Sequence, residues 1–136
     1  MKKAILMSIL AMVTLAGFAP ERKTLIIPAG QRIDPYAKIW EAVKWVETRN
    51  RDTINYHEQA YGQGQIRRDK LKDYNKANGT KYRLTDCMNE KTSKKIFYWH
   101  MRQYDDKWLG VRRWNGGGPK SYEYLNKVKK RLNKAK

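Results

Sequence analysis

Glu47 is the side chain in this sequence best placed for acid–base chemistry. It stands four residues after Val43, seven after Trp40 and eleven after Tyr36, so on a helix all four lie nearly in line. A carboxyl among aromatic and branched neighbours is desolvated, and at a helix C-terminus it also meets the negative end of the dipole. Both effects favour the neutral acid, so Glu47 is expected to act as a general acid. Glu41 lies well off that face. Three short polar islands punctuate the chain: Glu47-Thr48, Tyr61-Gly62-Gln63-Gly64-Gln65-Ile66 and Arg113-Trp114-Asn115-Gly116-Gly117. Other chemistries find less support. Cys87 is the single cysteine and has no evident histidine partner, and no Gly-x-Ser-x-Gly elbow is present, so nucleophilic acyl transfer is disfavoured. The glycine run before Lys120-Ser121 has Trp114 and Pro119 where a phosphate loop needs glycines, and no strand precedes it. His57 and His100 lack metal-ligand spacing, and one thiol cannot form a cluster, so neither a metal nor a cofactor is expected.

The elements that must position these residues read mainly as helices. Asp34 is a good N-cap and Pro35 suits the first helical position, so a helix is expected from there to about Asn50, with Tyr36, Ile39, Trp40, Val43 and Val46 on its inner stripe. Residues 51–65 are polar and turn-rich and read as a loop returning to the end of that helix. Ile66 to Asn75 has helical spacing in Ile66, Leu71 and Tyr74, with Arg67, Arg68, Lys70 and Lys72 on its outside, and Asn78-Gly79 is a turn. Thr85 or Asp86 would cap a helix running to about Tyr104, using Met88, Ile96, Trp99, Met101 and Tyr104 for burial. A short helix from Trp108 to Trp114 and a loop at 115–119 follow. Ser121 then caps a last helix with Leu125, Val128 and Leu132 inside.

The 136 residues suffice for one domain with one core. A net charge of +17 implies a polyanionic partner or surface: nucleic acid, anionic lipid or an acidic envelope polymer. Lys2 and Lys3 precede an uncharged apolar run from Ala4 to Ala19, followed by Pro20 and the charges of Glu21, Arg22 and Lys23. That layout predicts an export signal over 1–19, cut after Ala19 or before Gly17, with an uncleaved anchor as the alternative. No cysteine follows it to carry a lipid. Residues 20–34 read as an extended lead-in and 35–136 as the domain.

Taken in order, the three islands resemble the lytic transglycosylase family of the lysozyme-like superfamily. That family has a catalytic Glu followed by Ser near a helix end, then a Gly-Leu-Met-Gln type motif, then an Ala-Tyr-Asn-Ala-Gly type motif leading into a Tyr-containing last helix. Here Glu47-Thr48, Gly62-Gln63-Gly64-Gln65-Ile66 and Arg113-Trp114-Asn115-Gly116-Gly117 are similar to the three, with Tyr122 and Tyr124 behind them. The resemblance covers about Tyr36 to Leu132. Thr48 stands for Ser, Gly64 for Met and Trp114 for Tyr.

The resemblance implies an all-α, lysozyme-like domain with helices around a glycan cleft. It further implies that Glu47 protonates the oxygen between N-acetylmuramic acid and N-acetylglucosamine, then takes a proton from the muramyl 6-hydroxyl or from water. Thr48, Tyr61, Gly62, Gln65, Trp114, Asn115 and Tyr122 would line the substrate site. Hydrolysis would need a second carboxylate, for which Glu58 and Asp52 are the candidates. The expected partner is peptidoglycan in an anionic envelope, periplasmic or secreted, with the chain a monomer. A glycan-binding module without turnover, and more remotely a nucleic-acid binder, are the competing readings.

Overall fold

A computed structural model describes residues 33–135; the export segment and residues 24–32 lie outside the described residues. The first helix, α1 (Ala37–Thr48), starts later than its sequence signals imply. Asp34 Oδ1 accepts from the Tyr36 N–H at 3.1 Å, closing a turn before the helix, while its other oxygen accepts from Tyr98 Oη at 2.7 Å. Asp34 thus ties the chain entry to a later helix instead of capping α1. The far end is sharper. Arg49 (φ 58°) and Asn50 (φ 61°) are both left-handed; Arg49 N–H bonds Trp45 O at 3.0 Å and Asn50 N–H reaches back to Lys44 O at 3.3 Å, which closes the helix end. Two consecutive non-glycine residues in that region are strained, and they sit immediately after Glu47-Thr48.

Residues 51–65 are more than a loop. Strands β1 (Ile54–Asn55) and β2 (Ala60–Tyr61) pair antiparallel, Ile54 opposite Tyr61 and Asn55 opposite Ala60, and Tyr61 also bridges to Ile66. Helix α2 (Arg68–Asn78) ends on Gly79, whose positive φ of 63° is the usual left-handed stop. A 3-10 turn (Leu84–Met88) occupies the place where Thr85 and Asp86 predicted a helix start. Helix α3 (Glu90–Met101) is instead capped by Asn89, whose side chain accepts from Lys91 and Thr92 N–H groups. Asp106 caps α4 (Lys107–Trp114) through Trp108 N–H, and α5 (Lys120–Lys134) runs back along α1 and α4. The described chain is therefore mainly helical, with one two-stranded sheet.

The core is an aromatic column where the helices meet. Trp40 of α1 packs on Phe97 of α3 (centroids 5.1 Å apart), Phe97 on Trp114 of α4 (5.0 Å), and Trp114 on His100 (5.1 Å). Val43, Ile66, Ile96, Met101, Val111 and Val128 close around it without solvent exposure. Truncating one large member of such a core costs about 3 to 5 kcal/mol, and α5 also packs along both α1 and α4. Lys44, on the same inner side of α1, buries its stem and carries its ammonium out to Glu90 (2.6 Å) and Glu41 (2.9 Å).

Candidate active site

Glu47 lies at the last turn of α1, half-buried, and its carboxyl is raised to about 7. Desolvation is the largest cause. Tyr124 from α5 and the cations Arg67 and Lys70 act the other way, and Glu58 adds to the rise. Burial pushes the Tyr124 hydroxyl's pKa well up and the Glu47 carboxyl beside it adds to the rise, yet the hydroxyl forms no hydrogen bond of full geometry. We take it as a donor poised beside Glu47 rather than one already bonded to it. A carboxyl with a pKa near neutrality in a desolvated setting can give up a proton and take it back, the requirement for an acid that later serves as base.

The three polar islands converge on the end of α1. Thr48 is buried; its Oγ1 donates towards Lys44 O (3.1 Å) and Gln63 O (3.4 Å) and accepts from Arg51 N–H (3.2 Å), which fastens α1 to the hairpin. Gly62 has φ +73°, and a Cβ there would stand 1.9 Å from Cys87 O, so only glycine fits. Gly64 is wedged between two indoles: a Cβ would come within 3.0 Å of Trp40 Cη2 and 3.5 Å of Trp114 Cζ2. Trp114 is buried and donates from Nε1 to Gly64 O at 3.0 Å, joining the second island to the third. Gln65 turns inward on its own loop, with Nε2 donating to Gly62 O (2.9 Å) and Thr53 O (3.3 Å). Tyr61 is half-buried in the hairpin.

Other expected site residues fall elsewhere. Tyr122 is 57% exposed, with the Arg112 guanidinium over its ring at 4.4 Å; Tyr124, two residues on and therefore on the opposite side of α5, is the tyrosine that reaches Glu47. Asp52 is exposed in the loop after α1. Glu58 is also exposed and its Oε2 accepts from Arg67 Nη2 at 2.7 Å. Burial pushes the Cys87 thiol up to about 12, so it stays protonated. Among the described residues no group of three His, Cys, Asp or Glu side chains is placed to hold a metal ion.

Helices α2, α3 and α4 and the loop after α4 enclose a cavity of about 430 Å³ whose lining includes Arg67, Lys70, Trp99, His100, Trp114 and Asn115. Glu47 does not line it, but Arg67 and Lys70, the two cations that act on its carboxyl, do. Lys70 is a residue that the sequence reading placed on the outside of its helix. Its Nζ instead donates to His100 Nδ1 (3.3 Å) and lies over the Trp114 ring (4.4 Å), and burial lowers its pKa to about 8. His100 is held near 4 by burial and by Lys70, so its ring is neutral; Nε2–H donates to Gly110 O (2.9 Å), leaving Nδ1 to accept from the lysine. The signal for Lys70 was present in the sequence: it stands four residues after Ile66 and four before Tyr74, both buried.

No protein family matches the chain, and no curated protein or solved structure is significantly similar to it.

Proposed function

We propose that this protein is a peptidoglycan lytic transglycosylase on a lysozyme-like helical fold, cleaving the β-1,4 bond between N-acetylmuramic acid and N-acetylglucosamine. The observation that carries the reading is Glu47, held near pH 7 at the point where the three polar islands meet. The neutral carboxyl protonates the glycosidic oxygen. As carboxylate it then takes the proton of the muramyl 6-hydroxyl, giving a 1,6-anhydro end, while the substrate's acetamido group supports the cationic centre in place of a second carboxylate. Tyr124 offers its hydroxyl to the carboxylate formed midway. Asn115 supplies hydrogen bonds at the cavity wall and the strained turn after Thr48 holds the acid in place.

A lysozyme-type hydrolase is the second reading, and Glu58 is the observation that favours it, since its charge is felt at Glu47. Its tie to Arg67 at 2.7 Å and its exposure fit a water-activating base less well than they fit an ion pair. Mass spectrometry of muropeptides released from purified sacculi, run beside Glu47→Gln, separates the readings. Anhydro-muramyl ends that vanish in the variant are expected. Reducing ends would mean a hydrolase, and tight sacculus binding without release would make the chain a glycan-binding module.

A further inference from the structure

A second and larger groove, of about 620 Å³, runs between α1 and the C-terminal half of α5 and is also lined by the start of α4. Its floor is apolar, formed by the buried Ile39 and Ala42 with the half-buried Leu132. Its cations are Lys38, Lys107, Lys129 and Arg131. Glu41 is the one carboxylate in the lining, and its Oε1 already accepts from Lys44 Nζ at 2.9 Å. Asp34, Asp105 and Asp106 stand on the adjoining turns outside the lining; Asp34 is taken up by Tyr98 and Asp106 by the α4 cap. Four positive charges against one negative leave the groove with an excess of three, and none of the four cations is in an ion pair among the described residues.

The surroundings select the kind of anion. Lys107 Nζ and Lys129 Nζ both lie over the Trp108 ring, 5.3 and 4.9 Å from its centroid, so two ammonium groups meet at one place and take up the ring's face. A nucleic-acid base or a sugar needs that face for stacking. A phosphate polymer would engage the cations and leave Ile39, Ala42 and Leu132 uncovered. An amphiphile with an anionic head satisfies both parts, the head on the cations and a hydrocarbon chain on the floor. Arg131 repeats the pattern, since it lines the groove and lies over Trp45 at 4.5 Å. Indoles set among lysines and arginines are the side chains that a bilayer interface favours.

We propose that this groove binds an anionic phospholipid, with the phosphate on Lys107 and Lys129 and an acyl chain along Ile39 and Ala42, so that the protein docks on an acidic bilayer surface. Glu47 stands nine residues after Lys38, half a turn round α1, and so points away from the docked membrane. The lipid site stands whether or not Glu47 cleaves glycan.

The test is sedimentation of the full chain with vesicles at about 0.15 M salt, where charges beyond about 8 Å are largely screened. Vesicles of phosphatidylcholine alone are compared with vesicles containing about one-third phosphatidylglycerol, which should bind at least about ten-fold tighter. Lys107→Gln with Lys129→Gln should lose about 30-fold of that affinity, roughly five-fold for each cation at an acidic surface. Lys72→Gln with Lys76→Gln removes the same charge from exposed positions of α2 and should lose less than about three-fold. Vesicles brominated along the acyl chain report depth: they should quench tryptophan emission in the parent and clearly less in Trp108→Phe. Residues 1–32 contain no tryptophan, so insertion of the apolar N-terminal run cannot give that difference. Equal binding to both vesicles, equal losses in the two double variants, or quenching that Trp108→Phe leaves intact overturns the proposal. Binding that needs Lys107 and Lys129 but shows no quenching would make a phosphate-bearing polymer the ligand, and overturns it too.

Discussion

Glu47 links stability to pH with a sign opposite to that of an ion-paired carboxylate. Its folded-state pKa of about 7 lies above the ordinary 4.5, so between those values the folded chain keeps a proton that the unfolded chain has released. Stability from this group is complete below about pH 4.5 and is lost as pH rises to 7, by up to about 3 kcal/mol. Glu47→Gln removes the titration, so its stability relative to the parent should grow from pH 5 to pH 8 in urea unfolding; parallel profiles would mean that Glu47 ionises normally. Turnover should fall on the alkaline side of about pH 7 as the acid is lost, read from kcat against pH. Glu47 was legible in the sequence because periodicity placed a carboxyl among Tyr36, Trp40 and Val43. Lys70 was not, because a lysine in a basic stretch reads as solvated unless its spacing to Ile66 and Tyr74 is weighed above its charge. The choice between Tyr122 and Tyr124 needed the rotation of α5 about its axis, which Ser121 and Val128 fix by burial.

At the level of elements, the hairpin and the loop that follows it are held by two glycines that act differently. Gly62 combines a left-handed backbone with contact against Cys87 O, so both strain and overlap oppose a side chain. Gly62→Ala should lose at least about 3 kcal/mol in chemical denaturation, and a loss below 1 would show that the hairpin can move away from Cys87. Gly64 is limited by overlap alone, mostly with Trp40. Gly64→Ala should cost about 1 to 3 kcal/mol in the parent and clearly less in a Trp40→Phe background, where the outer indole atoms are gone. A double-mutant cycle reads the coupling, and additive losses would refute the wedge. The indoles of Trp40 and Trp114 fill the space beside Gly64 that a larger residue would need. Helices α1, α4 and α5 were legible from periodicity, but the expected caps were not the real ones: Asp34 bonds Tyr98, and Ser121 lies inside α5, which starts at Lys120, with its hydroxyl donating to Gly118 O. Two-residue strands carry no alternation to read, so the hairpin was not, and Asn89 outcompeted Thr85 and Asp86 as the α3 cap because the 3-10 turn had already used them.

For the whole molecule, the net charge of +17 both attracts a polyanion and opposes the compact state. The four ion pairs among the described residues draw on only three cations, Lys44, Arg67 and Lys94. Lys127, Lys129, Lys130, Arg131 and Lys134 crowd the second half of α5 with no acid after Glu123. Aromatic faces take up part of the excess: Trp45 lies between Arg49 and Arg131, and Trp108 between Lys107 and Lys129. Those contacts are worth about 0.5 to 1 kcal/mol each at exposed sites, too little to balance mutual repulsion along one helix. Salt should therefore act in two directions at once. Raising NaCl from about 0.02 M to 0.5 M shortens the Debye length from about 20 Å to about 4 Å, which screens the repulsion within α5 and the attraction to any polyanion together. The melting temperature should rise while affinity for purified sacculi falls, each measured on the same preparation. A melting temperature that falls with salt would mean that surface pairing, not repulsion, dominates the fold. Affinity that ignores salt would place sacculus binding away from the basic face of α5.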